Sequence, residues 1–185
     1  LVGSEMCIRD SDKLSQIPSG GNIAIPNDAT NQGRALLLLQ SAGLIKLNDG
    51  GSPLSTPADI DASASKVKVT PVDAAQTVTS LPSVDGAVIN NNFANDAGID
   101  PKAALFADSA KSDNAAPYIN VFAARPEDKN NETLLKAIKI WHDPEVAKAV
   151  LKDSNNSAVL VKDRSQAELQ HITDGLQADI KKARK

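Results

Sequence analysis

The sequence predicts an α/β fold with a largely parallel sheet. Two short apolar runs, at residues 23–25 and 86–89, and a segment of period-two alternation at 66–70 are separated by segments whose apolar residues recur at helical spacing. Alternation of this kind is typical of consecutive β-α units. In such sheets ligands bind beyond the carboxyl ends of the strands, so polar residues at those ends are the first candidates for a functional site.

The first unit, residues 22–43, carries the strongest local signal. Its apolar run stops at Pro26, a polar turn supplies helix N-cap residue types, and a leucine-rich helix runs from about Gln32 to Gly43. The start of a helix leaves backbone N–H groups unpaired at the positive end of its dipole. Arg34 lies in that first turn, and its planar guanidinium fits a carboxylate. The unit therefore predicts a binding lobe for a small solute that carries a carboxylate.

The following elements are predicted from apolar spacing and from helix-breaking residues. The run at 86–89 is continuous, which favours a strand buried on both faces, and it ends at Asn90. The remaining elements of this part are a short capped helix at 56–60, an alternating strand at 66–70, and helices at 73–81 and 93–97.

The second half of the chain begins after a polar connector at residues 108–116, which is the best candidate for a crossover between lobes. We expect a strand at 117–124, with Asn120 inside it, and another at 158–161. Three amphipathic helices are expected, at 132–142, from Pro144 onwards and at 165–185. Asn31 with Arg34, Asn90 and Asn120 thus fall in or just after predicted strands.

Composition excludes several classes of function. The net charge of −3 and a pI near 5.4 argue against a nucleic-acid partner. No run approaches the roughly 18 apolar residues that span a membrane. Two histidines and one cysteine make a zinc site improbable, and no phosphate-binding loop, HExxH or GxSxG motif is present. We therefore expect no catalytic site, no cofactor and no metal.

The first eleven residues, LVGSEMCIRDS, resemble a translated sequencing adaptor more than protein-coding sequence. This segment, residues 1–11, contains the single cysteine, Cys7, which on this interpretation says nothing about redox environment. We exclude the segment from the fold and expect the natural N-terminus, with any targeting signal, to be missing.

The motifs PNDATNQGRALLLLQSAGLIKL, VDGAVINNNFA and PYINVFAAR resemble the NlpA-type methionine-binding lipoproteins, the solute receptors of methionine ABC importers. The resemblance implies a two-lobed periplasmic-binding-protein fold of type 2, which closes on its ligand, with the N-terminal part of the first lobe missing. Residues 12–112 would form the second lobe. Residues 113–185 would form the C-terminal part of the first lobe and a terminal helix, and should expose apolar surface.

The same resemblance implies the roles of individual residues. Arg34 would pair with the ligand carboxylate, and Asn90 and Asn120 would hydrogen-bond polar backbone atoms of methionine or a closely related amino acid, with Asn31 also in the site. The implied partners are the importer's permease and ATPase subunits. The implied location is extracytoplasmic, on a lipid anchor that, like the signal peptide, lies outside this chain.

Other interpretations stay open. The chain could be an intracellular amino-acid-sensing effector domain of a regulator, or an enzyme that grips a carboxylate substrate, although no general base can be nominated for the latter. Arg34 could instead be a surface arginine in a salt bridge, and Asn90 and Asn120 could be turn formers. Tyr118 is expected to pack at the crossover rather than to touch ligand.

Overall fold

The structure is a computed structural model that describes residues 4–8, 13–100, 103–108, 113–161 and 164–183. Within these residues one open sheet has the strand order β3-β2-β4-β1-β5. The strands are β1 (Ser4–Ile8), β2 (Asn22–Pro26), β3 (Lys68–Val72), β4 (Gly86–Asn90) and β5 (Phe106–Ala107). The α/β class is confirmed, and the sheet is mixed, with four strands in one direction and β1 in the opposite direction. β2 pairs in parallel with β3 and β4, whereas β1 is antiparallel to β4 and β5.

Helices pack on the sheet and are the main regular elements in the described part of the second half of the chain. They are α1 (Ala29–Ser41), α2 (Thr77–Ser80), α3 (Asn91–Asp96), α4 (Glu132–Trp141), α5 (Pro144–Asp153) and α6 (Gln166–Ala183). The Asp28 side chain caps α1 by accepting a 3.1 Å hydrogen bond from the backbone N–H of Asn31. Gly43 follows the helix with φ of +71°, a conformation that glycine adopts without strain. The sequence therefore predicted this helix correctly to within a turn.

The core lies on both faces of the sheet. Ile23 and Ile25 of β2 pack with the leucines of α1, whereas Ala24 between them packs on the opposite face with Ala87 and Ile89 of β4. This division follows from the alternation of side chains along a strand. It confirms that the run at 86–89 is buried on both faces, since all five residues of β4 are buried.

Part of the segment that the sequence analysis left out of the fold, residues 1–11, belongs to the sheet. Residues 4–8 form β1, which lies between β4 and β5, and Met6 in this strand is 0% exposed. The physical reason is that the edge of β4 offers backbone hydrogen-bonding groups that a short apolar segment can pair. The resemblance of residues 1–11 to a translated adaptor stays a prediction.

Two predicted strands are absent from the second half. Residues 113–118 form a 3-10 helix, residues 119–125 are irregular, and residues 158–161 are likewise not paired as a strand. A strand needs a partner that accepts and donates backbone hydrogen bonds, and strand propensity without one is insufficient. The expectation that Asn120 lies within a strand is therefore wrong, and the division into lobes at residues 112 and 113 stays a prediction.

The expectation that this half exposes apolar surface is confirmed. Phe122 is 58% exposed and Ile140 is 64% exposed, and the Phe122 ring meets the Trp141 ring edge to face at 5.9 Å. We call this region the α4 apolar surface; it comprises Val121, Phe122, Leu134, Leu135, Ile140 and Trp141. In the described part of the chain, every helix is too short or too polar to cross a membrane.

Candidate ligand-binding site

The candidate site lies at one edge of the sheet, where three strands end. β2 and β4 are parallel, and β5 runs in the same direction because both β4 and β5 are antiparallel to β1. Ala107 of β5 and Ile89 of β4 both pair with Glu5 of β1. The residues that follow them, Asp108 and Asn90, therefore lie level with each other at this edge of the sheet. The first turn of α1 follows the end of β2 at this edge.

Asn31 and Asn90 are joined directly. The Asn90 side-chain amide donates a 2.8 Å hydrogen bond to Oδ1 of Asn31. Asn31 in turn donates from its own amide nitrogen to both carboxylate oxygens of Asp28, at 3.0 and 3.1 Å. These bonds orient the Asn31 amide, because its nitrogen must face the carboxylate and its oxygen must face Asn90. The end of β4 is thereby held against the first turn of α1.

Arg34 lies one helical turn after Asn31 and is only 8% exposed. Its Nε donates a 2.6 Å hydrogen bond to Oδ2 of Asp108, and its Nη2 is also 2.6 Å from the same oxygen. The Nη2 contact is short enough to be an ion pair, but Nη2 makes no hydrogen bond among the described residues. Among the described residues, a single oxygen of Asp108 therefore makes the polar contacts of a guanidinium that carries five N–H donors.

Tyr118 covers the guanidinium. The carbon at the centre of the Arg34 guanidinium lies 5.1 Å from the centre of the Tyr118 ring, which is within the range of a cation–π contact. Burial raises the pKa of Tyr118 to about 12, with Arg34 lowering it and Asp108 raising it to smaller extents. The Tyr118 hydroxyl is buried and lacks a hydrogen-bond partner among the described residues.

The structure thus places three of the four predicted residues together. Asn31 and Arg34 share one face of α1, and Asn90 reaches them through its hydrogen bond to Asn31. Asn120 is exposed and lies two residues after Tyr118 in the irregular segment 119–125. The ligand contacts predicted for all four residues stay predictions.

Sequence reasoning missed two residues of this site. Asp108 follows a strand of only two residues, which is too short for an alternation of side chains to be recognised. Tyr118 was expected to pack at the crossover rather than to touch ligand, and the structure shows that its ring lies on Arg34. A signal was present for Asp108, because it is a charged residue directly after an apolar run, which is where parallel strands place site residues.

The donor set at this edge suits an organic acid rather than a metal. It offers one cation, two carboxylates, two amides and a phenol. In the described residues no group of three or more His, Cys, Asp or Glu side chains is arranged to hold a metal ion. A buried guanidinium is suited to a carboxylate, which it can bind through two parallel hydrogen bonds.

Several curated proteins of similar sequence are named as D-methionine-binding lipoproteins. The chain is 38% identical over 149 residues to the D-methionine-binding lipoprotein MetQ of Salmonella typhi, a match that covers 79% of this chain and 54% of the relative. It is 36% identical over 149 residues to the protein of that name from Escherichia coli K12, with the same coverage. The chain therefore spans about half the length of the curated relatives that it matches.

Several solved structures are also similar to this chain. A protein from Staphylococcus aureus, PG110, is 37% identical with a TM-score of 0.84, over 95% of this chain and 69% of that one. A nutrient-binding protein from Burkholderia cenocepacia, solved bound to methionine, is 35% identical with a TM-score of 0.72, over 85% and 65%. The fold is that of periplasmic substrate-binding proteins of methionine transporters.

A family model described as NlpA lipoprotein matches residues 9–161. Since this match spans well over half of the sequence, the chain belongs to the NlpA lipoprotein family.

Proposed function

We propose that this chain is part of the solute-binding component of an ABC importer, and that it binds methionine or a closely related amino acid. Arg34 is the observation that carries the proposal. Its guanidinium is 8% exposed, lies in the first turns of α1, and is contacted by a single carboxylate oxygen of Asp108. A ligand carboxylate could therefore bind beside Asp108 without displacing it, because donors remain on the guanidinium.

In this proposal each predicted residue has a distinct task. Arg34 binds the ligand carboxylate, and Asn31, Asn90 and Asn120 hydrogen-bond the polar atoms at the same end of the ligand. Asn120 belongs to the part of the chain that would form the other lobe, so its contact is made on closure. The ligand stabilises the closed state because only that state offers all of these contacts.

We also propose the cellular location and the partners of the protein, on the basis of the family to which it belongs. The complete protein would be extracytoplasmic and held on the membrane by a lipid anchor, where it delivers its ligand to the permease and ATPase subunits of an importer. It would bind its ligand without chemical change and would not be an enzyme. Relatives named for methionine binding support this setting.

The proposal is tested by calorimetric titration of the product of the complete gene with methionine. We expect binding, and we expect Arg34→Ala to weaken it by about 2–5 kcal/mol, the cost of removing one partner of a buried charged pair. Arg125→Ala is the matched control, because Arg125 is an exposed arginine in the irregular segment. An unchanged affinity for Arg34→Ala would remove the assignment.

The 185-residue chain should bind methionine weakly or not at all. It spans about half the length of its curated relatives, so much of the cleft that encloses a ligand would come from outside this chain. Titration of the 185-residue chain beside the complete gene product measures the difference. Nanomolar binding by the 185-residue chain would contradict this expectation.

A further inference from the structure

We propose that the hydroxyl of Tyr118 donates a hydrogen bond to the ligand carboxylate that Arg34 binds, so that a phenol and a guanidinium together recognise this group. The inference rests on the proposed function and extends it, because it adds a residue that contacts the ligand to those predicted from the sequence.

Two buried donors without acceptors lie together at this edge of the sheet. Nη2 of Arg34 and the Tyr118 hydroxyl are both buried, and neither makes a hydrogen bond within the part of the chain that the structure describes. The Arg34 side chain is 9% exposed, and the centre of its guanidinium lies 5.1 Å from the centre of the Tyr118 ring. A buried polar group without a partner is costly, so two of them side by side indicate a position that an acceptor completes.

The chemistry of these two groups defines the acceptor. A guanidinium nitrogen can only donate, and a phenol donates as long as it keeps its proton. Burial raises the pKa of Tyr118 to about 12, so the hydroxyl is protonated at neutral pH. An ionised carboxylate has two oxygens that only accept, and it can therefore bond both donors at once. A cation offers no acceptor and would satisfy neither donor.

The charge on Arg34 makes a second, neutral donor useful. Nε and Nη2 of Arg34 both lie 2.6 Å from Oδ2 of Asp108, so the guanidinium charge is already paired. A ligand carboxylate gains less from a paired cation than from an unpaired one. A phenol adds a hydrogen bond without adding charge, and a hydrogen bond to an ionised acceptor is about twice as strong as one between neutral groups.

Packing of the neighbouring chain holds the ring in place without help from the hydroxyl. Tyr118 ends the 3-10 helix Asp113–Tyr118, in which Ala115 and Ala116 are 2% and 9% exposed. These buried alanines fix the helix, and the contact with Arg34 fixes the ring. The hydroxyl is therefore positioned before any ligand binds, which lowers the entropic cost of the bond to the ligand.

The test uses the complete gene product and two ligands, methionine and 3-(methylsulfanyl)propan-1-amine, which is methionine without its carboxylate. Tyr118→Phe removes the hydroxyl and keeps the ring. In calorimetric titrations we expect this variant to bind methionine at least about tenfold more weakly, the scale of a hydrogen bond to a charged group, and to bind the amine with unchanged affinity. Ser83→Ala removes an exposed hydroxyl just before β4, at the end of that strand opposite to Asn90, and should change neither affinity.

Thermal unfolding of the ligand-free proteins gives a second measurement that does not depend on either ligand. Since the hydroxyl lacks an acceptor within the described residues, Tyr118→Phe should leave the midpoint of unfolding unchanged or raise it. A structural role for the hydroxyl predicts a lower midpoint and an equal loss of affinity for both ligands. Either of these results would overturn the proposal, and so would failure of Tyr118→Phe to fold.

Failure of this inference is distinguishable from failure of the proposed function. Unchanged methionine affinity in Tyr118→Phe, with binding by the unmodified protein, would overturn the role of Tyr118 and leave the proposed function intact. Absence of methionine binding by the unmodified protein would overturn both.

Discussion

The side-chain amide of Asn90, the last residue of β4, donates a 2.8 Å hydrogen bond to Asn31 in the first turn of α1. This bond joins positions 59 residues apart and is partly buried. We expect Asn31→Ala and Asn90→Ala to be coupled by about 0.5–1.5 kcal/mol in the free energy of unfolding, the net worth of such a bond. Urea denaturation of the single and double variants measures the coupling.

Asn31→Ala combined with Asn95→Ala is the control for that cycle. Asn95 lies on α3 and bonds Asn91, so its effect should add to that of Asn31→Ala within about 0.5 kcal/mol. Additivity in the Asn31 and Asn90 pair as well would contradict the contact.

We expect a larger coupling in the free energy of unfolding between Arg34→Ala and Asp108→Ala, which remove the two partners of the ion pair. Removing one partner leaves a nearly buried charge without its counter-charge, so Arg34→Ala and Asp108→Ala should each lower the free energy of unfolding by about 3 kcal/mol. The double variant should lose much less than the sum, because it leaves neither charge behind. Denaturant unfolding of the four proteins measures this, and simple additivity would argue against the ion pair.

Gly33 is predicted to tolerate no side chain. A Cβ at this position would overlap the carbonyl oxygen of Pro53 and would lie 2.8 Å from its carbonyl carbon. The alanine variant gains up to about 1 kcal/mol in helix propensity, but forced movement of packed backbone costs about 1–3 kcal/mol. We therefore expect Gly33→Ala to lower the midpoint of thermal unfolding.

Gly175 provides the matched comparison, since it also lies inside a helix but has nothing within 4 Å of an added Cβ. Gly175→Ala should stabilise α6 by about 0.5–1 kcal/mol. Equal effects of the two substitutions in circular-dichroism melting curves would mean that Gly33 does not approach Pro53.

Tyr118 should titrate at unusually high pH. It is the only tyrosine of the sequence, so ultraviolet absorbance of the phenolate reports on this residue alone. Burial raises its pKa to about 12, compared with the ordinary value of 10.0, and we expect the absorbance midpoint near the higher value. A midpoint at the ordinary value would mean that the ring is not buried against Arg34.

The same shift predicts how stability depends on pH. The pKa of Tyr118 is higher in the folded state than in the unfolded chain, so the folded state holds its proton more tightly. This contribution to stability is complete below about pH 10 and is lost as the pH rises towards 12. Tyr118→Phe should lack that loss, which alkaline unfolding curves of the two proteins would detect.

The α4 apolar surface should cause the 185-residue chain to associate. Exposed apolar side chains favour contact with another surface, and Ile140 on α4 is 64% exposed. Ile140→Lys should reduce association measured by sedimentation velocity, with little change in stability because so little of this side chain is buried. Ser83→Lys adds the same charge at an exposed position away from the patch and should leave association unchanged.

The sequence correctly predicted the helices that are specified by residues close together in the chain. The Asp28 cap and the positive φ at Gly43 define α1 without reference to distant residues, and the apolar spacing of α4 and α6 did the same for those helices. Its failures concern strands. Residues 117–124 have strand-like composition but no partner, whereas residues 4–8 were set aside and yet form β1 beside β4.

The sequence by itself determined that a strand, a capped turn and a leucine-rich helix bring Asn31 and Arg34 to a helix start, and that Asn90 ends a buried strand. Only the tertiary structure decided that Asp108, 74 residues from Arg34, is the partner of its guanidinium and that the Tyr118 ring covers it. The reason is physical. Caps and apolar periodicity act over a few residues, whereas an ion pair between distant positions depends on which strands pair and in which direction.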